Sequence, residues 1–198
     1  MDTSQSAPVA KPVAGSDLAD LVLRFINTRT DGAGSVERFG TAATFRDWAA
    51  EQGLLAVDAV IAESDAAAAR EVREALVTIF LAHNGGADVE AEQVTAAERY
   101  LRQAGERYHL VPVITAGSAR LQTACTGAAA TVSTVLAAAT ELALQEDWAR
   151  IKACSNSRCQ IGFLDRTRNR SGRYCSTGCN SQVSMRAYRR RQGATAAQ

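Results

Sequence analysis

Residues 153–179 read ACSNSRCQIGFLDRTRNRSGRYCSTGC, and this stretch contains four of the five cysteines in the chain. The cysteines form two close pairs, Cys154 with Cys159 and Cys175 with Cys179, and 15 residues rich in arginine lie between the pairs. Zinc binds four thiolates at about 2.3 Å, and two tight turns joined by a short hairpin can each supply two sulfurs to one ion. The spacing therefore predicts a closed structural site in which these four cysteines hold Zn2+.

The two cysteine pairs lie in different predicted local structures. Strand-like residues at 151–153 and 160–164 flank the first pair, a pattern typical of a zinc knuckle. Ser176 is a good helix N-cap, so Cys179 is expected in the first turn of an arginine-rich helix. A knuckle followed by a helix start predicts a treble-clef-like finger over residues 150–192. The finger has few large apolar residues, so the metal is expected to contribute much of its stability.

Other uses of the four thiols are less favoured by the sequence. Disulfides form in oxidising compartments, yet residues 1–13 (MDTSQSAPVAKPV) lack the apolar region of a secretion signal. An iron-sulfur cluster also takes four thiolates, but its usual cysteine spacings are tighter. No apolar run approaches the roughly 20 residues that span a bilayer. We therefore expect a cytoplasmic protein without a membrane partner.

The stretch from Cys154 to Arg191 resembles the CGNR zinc finger, which usually follows a domain named ABATE in candidate stress-induced transcription regulators. The resemblance rests on the C-x4-C pair, on FLDRTRNRS at 163–171, on YCS at 174–176 and on the arginine-rich helix. The chain departs from the family at its namesake motif, where Gln182 replaces the arginine of Cys-Gly-Asn-Arg. The missing arginine bears on any nucleic-acid contact made at that position.

Two short elements outside the finger are similar to ABATE sequences. Asn27-Thr28-Arg29 matches an element near the start of that domain, and the REAL sequence at 73–76 matches a second fragment. The resemblance implies that Asn27 and Arg29 lie at the rim of a pocket for a small-molecule effector, within a sensor domain at 16–149. From the residues alone, Asn27 also suits a helix C-cap and Arg29 a solvated side chain.

Charge is segregated along the chain, although the formal net charge is only +1. Residues 150–198 contain eleven basic residues and one acidic residue, whereas residues 1–149 contain eleven basic and twenty acidic residues. This asymmetry indicates a polyanion partner for the basic part. Planar guanidinium groups suit phosphate oxygens, so we expect the finger to bind DNA. The expected contacts are Arg166, Arg168, Arg170, Arg173, Arg186, Arg189, Arg190 and Arg191.

The chain before the finger predicts a mainly α fold with one β-hairpin. Residues 1–15 and 193–198 lack periodicity and are expected to be disordered tails. In the third predicted helix, Arg70, Arg73 and Glu74 are expected to face solvent. The predicted elements are helices from Ser16 to about Asn27, from Thr44 to Gly53, from Ser64 to about His83, from Ala91 to about Gly105 and from Thr126 to Trp148, and hairpin strands at 110–115 and 119–123.

Catalysis is not expected, because neither His83 nor His109 lies in a recognisable nucleophile or metal motif. Cys125, the fifth cysteine, is expected to be a small buried residue. Asp165 is expected to pair with a neighbouring arginine and to order the loop around it. Two alternatives remain open: a zinc-stapled module whose basic face binds an acidic protein, and a small-molecule-binding or enzymatic N-terminal domain with a purely structural finger. A homodimer also remains open.

Overall fold

The computed structural model describes residues 15–30, 36–85, 88–145 and 147–196. Within these residues the chain is mainly helical and includes one finger, as the sequence predicts. The elements in chain order are α1 Gly15–Ile26, α2 Ala42–Glu51, α3 Glu63–Ala82, α4 Ala91–Arg107, β1 Leu110–Thr115, β2 Ser118–Thr123, α5 Gly127–Ala143, a 3₁₀ turn Trp148–Arg150, β3 Ile151–Ala153, β4 Gly162–Leu164 and α6 Thr177–Ala196. None of the helices in these ranges is both long and apolar enough to cross a bilayer.

Of the two predicted tails, residues 1–14 and 197–198 lie outside the described residues. α1 begins at Gly15, and α6 continues to Ala196, beyond the finger end expected at residue 192.

A cluster of aromatic rings forms the core between α1 and α2. The Phe25 ring centroid lies 5.3 Å from that of Phe39 and 5.7 Å from that of Trp48. Phe39 also packs edge-on against Phe45, with 4.9 Å between the centroids. All four side chains are at most 4% exposed. Because aromatic pairs add about 0.5–1.5 kcal/mol each beyond area burial, this cluster fixes the two helices against each other.

The start of α2 differs from the predicted start at Thr44. Thr41 is the N-cap, and its hydroxyl accepts a hydrogen bond from the Thr44 N–H at 3.2 Å. The Thr41 N–H in turn donates to the Thr44 hydroxyl at 3.1 Å, so a threonine takes the role that Glu or Gln has in most capping boxes. The end is as predicted, because Gly53 follows the helix with a left-handed φ of 67°.

Arg73 of α3 points inward, so the prediction that it faces solvent is wrong. Its side chain is 3% exposed, and its two terminal nitrogens donate to the Glu37 carboxylate at 2.6 and 2.9 Å. A further bond of 3.1 Å reaches the Thr28 hydroxyl. Helical periodicity could not reveal this position, because Glu37 lies in the loop before α2 and folds back over α3.

The segment from 110 to 150 contains one confirmed and one wrong prediction. β1 and β2 form the predicted antiparallel hairpin, with Thr115 paired to Ser118 across the turn. α5, by contrast, ends at Ala143 rather than at Trp148. The chain turns after α5 so that the Trp148 ring can pack edge-on against Phe80 of α3, with 5.2 Å between the centroids. A tertiary contact thus ends a helix that local propensity would continue.

β3 and β4 form an antiparallel two-stranded sheet, and α3 covers the outer edge of β3. His83 Nδ1 lies 2.7 Å from the Ile151 carbonyl oxygen, and the Asn84 amide donates to the Ala153 carbonyl oxygen at 2.8 Å. His83 and Asn84 follow directly after α3. Ile151 and Ala153 are fully buried in the same core as the N-terminal helices. The finger therefore shares its apolar packing with the rest of the chain.

The outer edge of β4 is held by Asn27, which follows α1. The Gly162 N–H donates to Asn27 Oδ1 at 2.7 Å, and Asn27 Nδ2 donates to the Gly162 carbonyl oxygen at 3.1 Å. Glycine allows this close approach, because a Cβ on residue 162 would lie 2.1 Å from Ile26 Cδ1. Together with the contacts on β3, these bonds fix the orientation of the finger on the helices.

Candidate metal centre and basic surface

The four predicted metal ligands meet at one point in the finger. The Sγ atoms of Cys154, Cys159, Cys175 and Cys179 all lie within 4.8 Å of one another. Two of the separations are 3.6 Å, from Cys159 to Cys175, and 3.8 Å, from Cys175 to Cys179. A tetrahedron with metal–sulfur bonds of about 2.3 Å has edges of about 3.8 Å. These separations match a tetrahedral metal site and far exceed the roughly 2.05 Å bond of a disulfide.

The donor set fits zinc, since four cysteines are a common ligand set of closed structural zinc sites. When bound, zinc crosslinks the knuckle to the first turn of α6, and four protein ligands leave no position for a reactive water. Cys125 lies outside the cluster, as predicted. It is partly exposed rather than buried, because its sulfur lies at the open end of the β1–β2 hairpin, 4.0 Å from the His109 carbonyl oxygen.

The thiols of the cluster differ in acidity. Burial raises the pKa of Cys175 to about 11 and also raises the pKa of Cys159. Burial opposes ionisation of Cys179 as well, but hydrogen bonds from the Asn156 amide and the Ser176 hydroxyl lower the pKa of Cys179 to about 7. Because a bound cation stabilises thiolates, metal binding to this cluster should release protons.

Asn156 connects the metal centre to α6, and the sequence pattern did not identify it. The residue is 1% exposed. Its Nδ2 group donates to Cys179 Sγ at 3.5 Å and to Gln182 Oε1 at 3.2 Å, while its Oδ1 accepts from the Arg186 guanidinium. The sequence offers one indication of its role, which is that it lies in the turn between the ligands Cys154 and Cys159. Asn156 therefore orients α6 relative to the knuckle.

The arginine loop, residues 166–173, rests on a buried ion pair. Lys152 Nζ lies 2.8 Å from Asp165 Oδ2, and the two side chains are 2% and 1% exposed. The predicted pairing of Asp165 with a neighbouring arginine is wrong, because Lys152 on β3 points into the loop. Lys152 also donates to the carbonyl oxygens of Arg170 and Gly172. One ammonium group thus ties the sheet to the far end of the loop.

Asp165 receives hydrogen bonds from both ends of the arginine loop. Its Oδ1 accepts from the Thr167 N–H at 2.9 Å and from the Thr167 hydroxyl at 2.7 Å, and its Oδ2 accepts from the Gly172 N–H at 2.9 Å. Burial alone would raise the pKa of Asp165, but the bonds from Lys152 and Thr167 lower it to about 2. The carboxylate is therefore ionised at neutral pH and gives the loop a defined shape.

The eight arginines predicted to bind phosphate differ in their surroundings. Arg173 pairs with Asp88 of the N-terminal part at 2.8 Å, and Arg186 donates to Asn156. Arg173 is exposed, as are the other six, namely Arg166, Arg168, Arg170, Arg189, Arg190 and Arg191. Arg158 in the knuckle is exposed as well and was not among the predicted contacts. Its isolated position in the sequence, away from the two arginine runs, explains the omission.

α6 has no buried side chain at 177–192. Cys179 and the cap hydroxyl of Ser176, which accepts from the Cys179 N–H at 3.2 Å, hold its first turn. Further along, Met185 and Tyr188 are each 51% exposed. Val183, Arg186 and Ala187 are half-buried, and most of the other side chains at 180–192 are exposed. The exposed length of α6 is thus available to a partner.

The structure gives the two residues expected at a ligand pocket different surroundings. Arg29 forms an ion pair with Glu74 of α3 at 3.3 Å. Asn27 lines a cleft of about 540 Å³ beside α1 and α2 while its amide holds Gly162. Other residues that line this cleft are Asp20, Arg24, Arg38, Trp48 and Glu51.

Two protein-family models match the chain, and both agree with the fold and the cysteine cluster. Residues 19–146 match ABATE, described as "Putative stress-induced transcription regulator", and residues 150–192 match the CGNR zinc finger. The class is thus a helical domain of the family so described, followed by a metal-binding finger. The chain belongs to the ABATE family and carries a CGNR zinc finger, as the sequence motifs indicated. Neither family is an enzyme family. A search of curated proteins gave no match.

Proposed function

We propose that this protein is a zinc-dependent, DNA-binding transcription regulator whose finger binds phosphates with the arginine loop and α6. The observation that carries the proposal is the state of α6, an arginine-rich helix without a buried side chain at 177–192. The chain from residue 150 onward contains eleven basic residues and one acidic residue, and that residue, Asp165, is buried. Guanidinium groups form paired hydrogen bonds with phosphate oxygens, so nucleic acid suits this surface best.

The salt dependence of DNA binding tests the proposal. Each phosphate neutralised on a duplex releases counterions and contributes about −0.9 to the slope of log affinity against log salt. With four to six contacts, we expect a slope of about −4 to −5. Fluorescence anisotropy of a labelled mixed-sequence duplex, titrated with the zinc-loaded full chain at several salt concentrations, measures this slope. A slope near zero would contradict the proposal.

A double variant on α6 and a matched control make the test specific. Arg189→Ala with Arg190→Ala should flatten the slope by about 2 and weaken binding to all sequences alike, because phosphate contacts position a protein rather than specify bases. The control is Arg99→Ala with Arg102→Ala, two exposed arginines of α4. We expect the control to keep the slope of the original protein. Equal effects of the two double variants would indicate only a general effect of charge.

A second function, binding of an acidic protein, is favoured by one observation. Met185 and Tyr188 are half-exposed on α6, and Met and Tyr are enriched at the centres of protein interfaces. Replacing both by serine should leave the salt slope on DNA unchanged if the helix binds phosphates with its arginines. If DNA binding is salt-independent or missing, and the basic face instead retains an acidic protein, this second function is preferred.

The proposal includes an effector site in the N-terminal part, residues 16–149. In support, the cleft at Asn27 has charged groups of both signs, including Asp20 and Arg24, and Asn27 also contacts the finger. A small polar or zwitterionic molecule bound there would sit beside a contact that orients the finger. Native mass spectrometry of the full chain isolated from cells should find an added small mass that is lost in Arg24→Ala. An added mass that persists in this variant would place the effector elsewhere.

A further inference from the structure

A cleft of about 640 Å³ lies between the knuckle and α6, next to the metal centre. Three arginines line it: Arg158 from the knuckle, and Arg186 and Arg189 from α6. No acidic residue is among the part of its lining that the structure describes. Arg186 and Arg189 are three residues apart and therefore lie on one face of the helix. The two walls of the cleft thus present positive charge toward each other.

The charge of the metal centre must be included, because Cys159 and Cys179 also line the cleft. Four thiolates on one Zn2+ leave a net charge of about −2 at the centre. Arg186 is connected to this centre by hydrogen bonds, because it donates to Asn156 and Asn156 donates to Cys179 Sγ. Three guanidinium groups still exceed the charge of the centre. The cleft is therefore suited to an anion.

The arginine loop lies on the other side of the start of α6. Gly172 and Arg173 of the loop line a separate depression together with Thr177 and Asn180 of the helix. The cleft, by contrast, contains Gln182, Met185 and Arg189 of α6. The cleft and the arginine loop therefore lie on two sides of α6. Arg173 of the loop pairs with Asp88, so the positive charge on that side comes from the exposed Arg166, Arg168 and Arg170. The major groove of B-DNA is about 12 Å wide and admits a single helix between its two phosphate backbones.

We infer that the cleft between the knuckle and α6 is a phosphate-binding seat for the backbone of one DNA strand, with Arg158 and Arg189 as its contacts. The arginine loop then contacts the backbone of the opposite strand, and α6 enters the major groove between them. The inference rests on the proposed function. It adds a contact residue, Arg158, and assigns the two basic surfaces to different strands.

Arg158→Ala tests the seat in the zinc-loaded full chain with the same labelled mixed-sequence duplex. The loss of one phosphate contact should flatten the salt slope by about 0.9. Arg158→Lys, which keeps the charge, should retain most of the slope, and Arg102→Ala on α4 should retain all of it. Gln182→Arg, which adds a guanidinium to the cleft wall, should steepen the slope by about 0.9. Zinc retention against a chelator is measured for every variant.

The outcomes separate this inference from the proposed function. If the original protein shows no salt-dependent binding, the proposed function fails and the seat fails with it. If the original protein binds but Arg158→Ala keeps its slope, the seat is overturned while the proposed function stands. Faster loss of zinc in Arg158→Ala, with an unchanged slope for the zinc-loaded variant, also overturns the seat, because Arg158 then only offsets thiolate charge. A flatter slope with normal zinc retention supports the seat.

Discussion

The N-terminal helices and the finger are stabilised in different ways. The helices bury a cluster of four aromatic rings, each at most 4% exposed. In the described part of the finger no aromatic side chain is buried, and its buried residues include the polar Lys152, Asn156 and Asp165. A cluster of rings needs no ligand to be stable, whereas buried polar groups need every partner in place. The finger therefore depends on a few specific bonds.

The N-terminal helices and the finger nevertheless share part of one core. Ile151 and Ala153 of the finger belong to the core of the helices. The matches to the two family models meet between residues 146 and 150, so the boundary between the sequence families falls just before a strand that is packed into the other part. Separating the chain at this boundary would expose part of a shared core. Tests of the finger are therefore best made in the full chain.

Loss of the metal should have the largest effect, and this effect should be confined to the finger. Cys175→Ser removes a ligand, and we expect it to lose zinc and unfold the finger, since structural zinc contributes on the order of 10 kcal/mol in comparable peptides. The aromatic core should remain folded. Elemental analysis and hydrogen exchange measure the two effects. Cys125→Ser should keep its metal, and loss of zinc from that variant would show that the ligand assignment is wrong.

Asp165→Asn should have the next largest effect. It leaves the Lys152 ammonium buried without its counterion, which costs about 3–5 kcal/mol when a buried pair is broken. Urea unfolding of zinc-loaded protein measures the loss. The control is Asp47→Asn, which breaks a surface pair with Arg46 whose side chains are 36% and 56% exposed. Such pairs contribute about 0–1 kcal/mol, so equal losses in the two variants would contradict a structural role of the buried pair.

The pH dependence of that loss follows from the lowered pKa of Asp165. A carboxyl group whose folded pKa lies below its unfolded value stabilises the protein above the unfolded pKa, which is about 4 for Asp. With a folded pKa of about 2, this stabilisation is lost as the pH falls from about 4 to about 2. The Asp165 carboxyl is ionised in both states between about pH 6 and about pH 8, so it adds no pH dependence of its own to the difference in stability between the original protein and Asp165→Asn. A difference that changed across this interval would require another titrating group.

Gly162→Ala should disturb the contact between the two parts without removing a ligand. The added Cβ would overlap Ile26 Cδ1, so either the buried Ile26 side chain or β4 must move. Overpacking of this kind costs about 1–3 kcal/mol. Gly105→Ala is the matched control, because it lies in α4 with open space around it and should stabilise the helix by about 0.5–1 kcal/mol. Hydrogen exchange in β4 that is unchanged by Gly162→Ala would contradict the expected displacement.

The smallest expected effect concerns His83, at the edge of β3. Burial lowers the pKa of His83 below its usual value. The hydrogen bond to the Ile151 carbonyl oxygen opposes this shift, and the nearby Lys152 charge adds to it. As pH falls below about 6.5, the unfolded chain takes up a proton that the folded chain does not, so stability should fall by at most about 1.4 kcal/mol per pH unit. His83→Gln should flatten this dependence in urea unfolding between about pH 7 and about pH 5. Parallel curves for the two proteins would show that another group is responsible.

The features that the sequence predicts best are those encoded by short spacings. The cysteine pairs, the knuckle strands, the hairpin at 110–123 and the helices α1, α3 and α4 all follow from periodicity or ligand chemistry within a few residues. These features include the complete metal cluster. Because their determinants are local, one sequence is enough to identify them.

The features that were missed depend on contacts between distant segments. Arg73 turns inward because Glu37 from another loop meets it, and α5 ends early because Trp148 packs on α3. In the sequence, Asn156 resembles an ordinary turn residue and Lys152 an ordinary basic residue. Their partners are distant along the chain and meet them only in the folded protein. Local propensity carries no information about such contacts between distant segments. The contacts of Asn156 and Lys152 determine much of the geometry of the basic surface.

The covered edges of the β3–β4 sheet have a consequence for how two copies of the chain can associate. An open strand edge offers unpaired N–H and carbonyl groups on which a strand of another molecule can add, and this is a common route to aggregation. Here side chains occupy both edges, with His83 and Asn84 on one and Asn27 on the other. The side-chain amide of Asn27 forms the two hydrogen bonds to Gly162 that the backbone of a neighbouring strand would form. The folded finger is thereby protected from intermolecular strand addition. Asn27→Ala would leave the N–H and carbonyl groups of Gly162 open to a strand of another molecule.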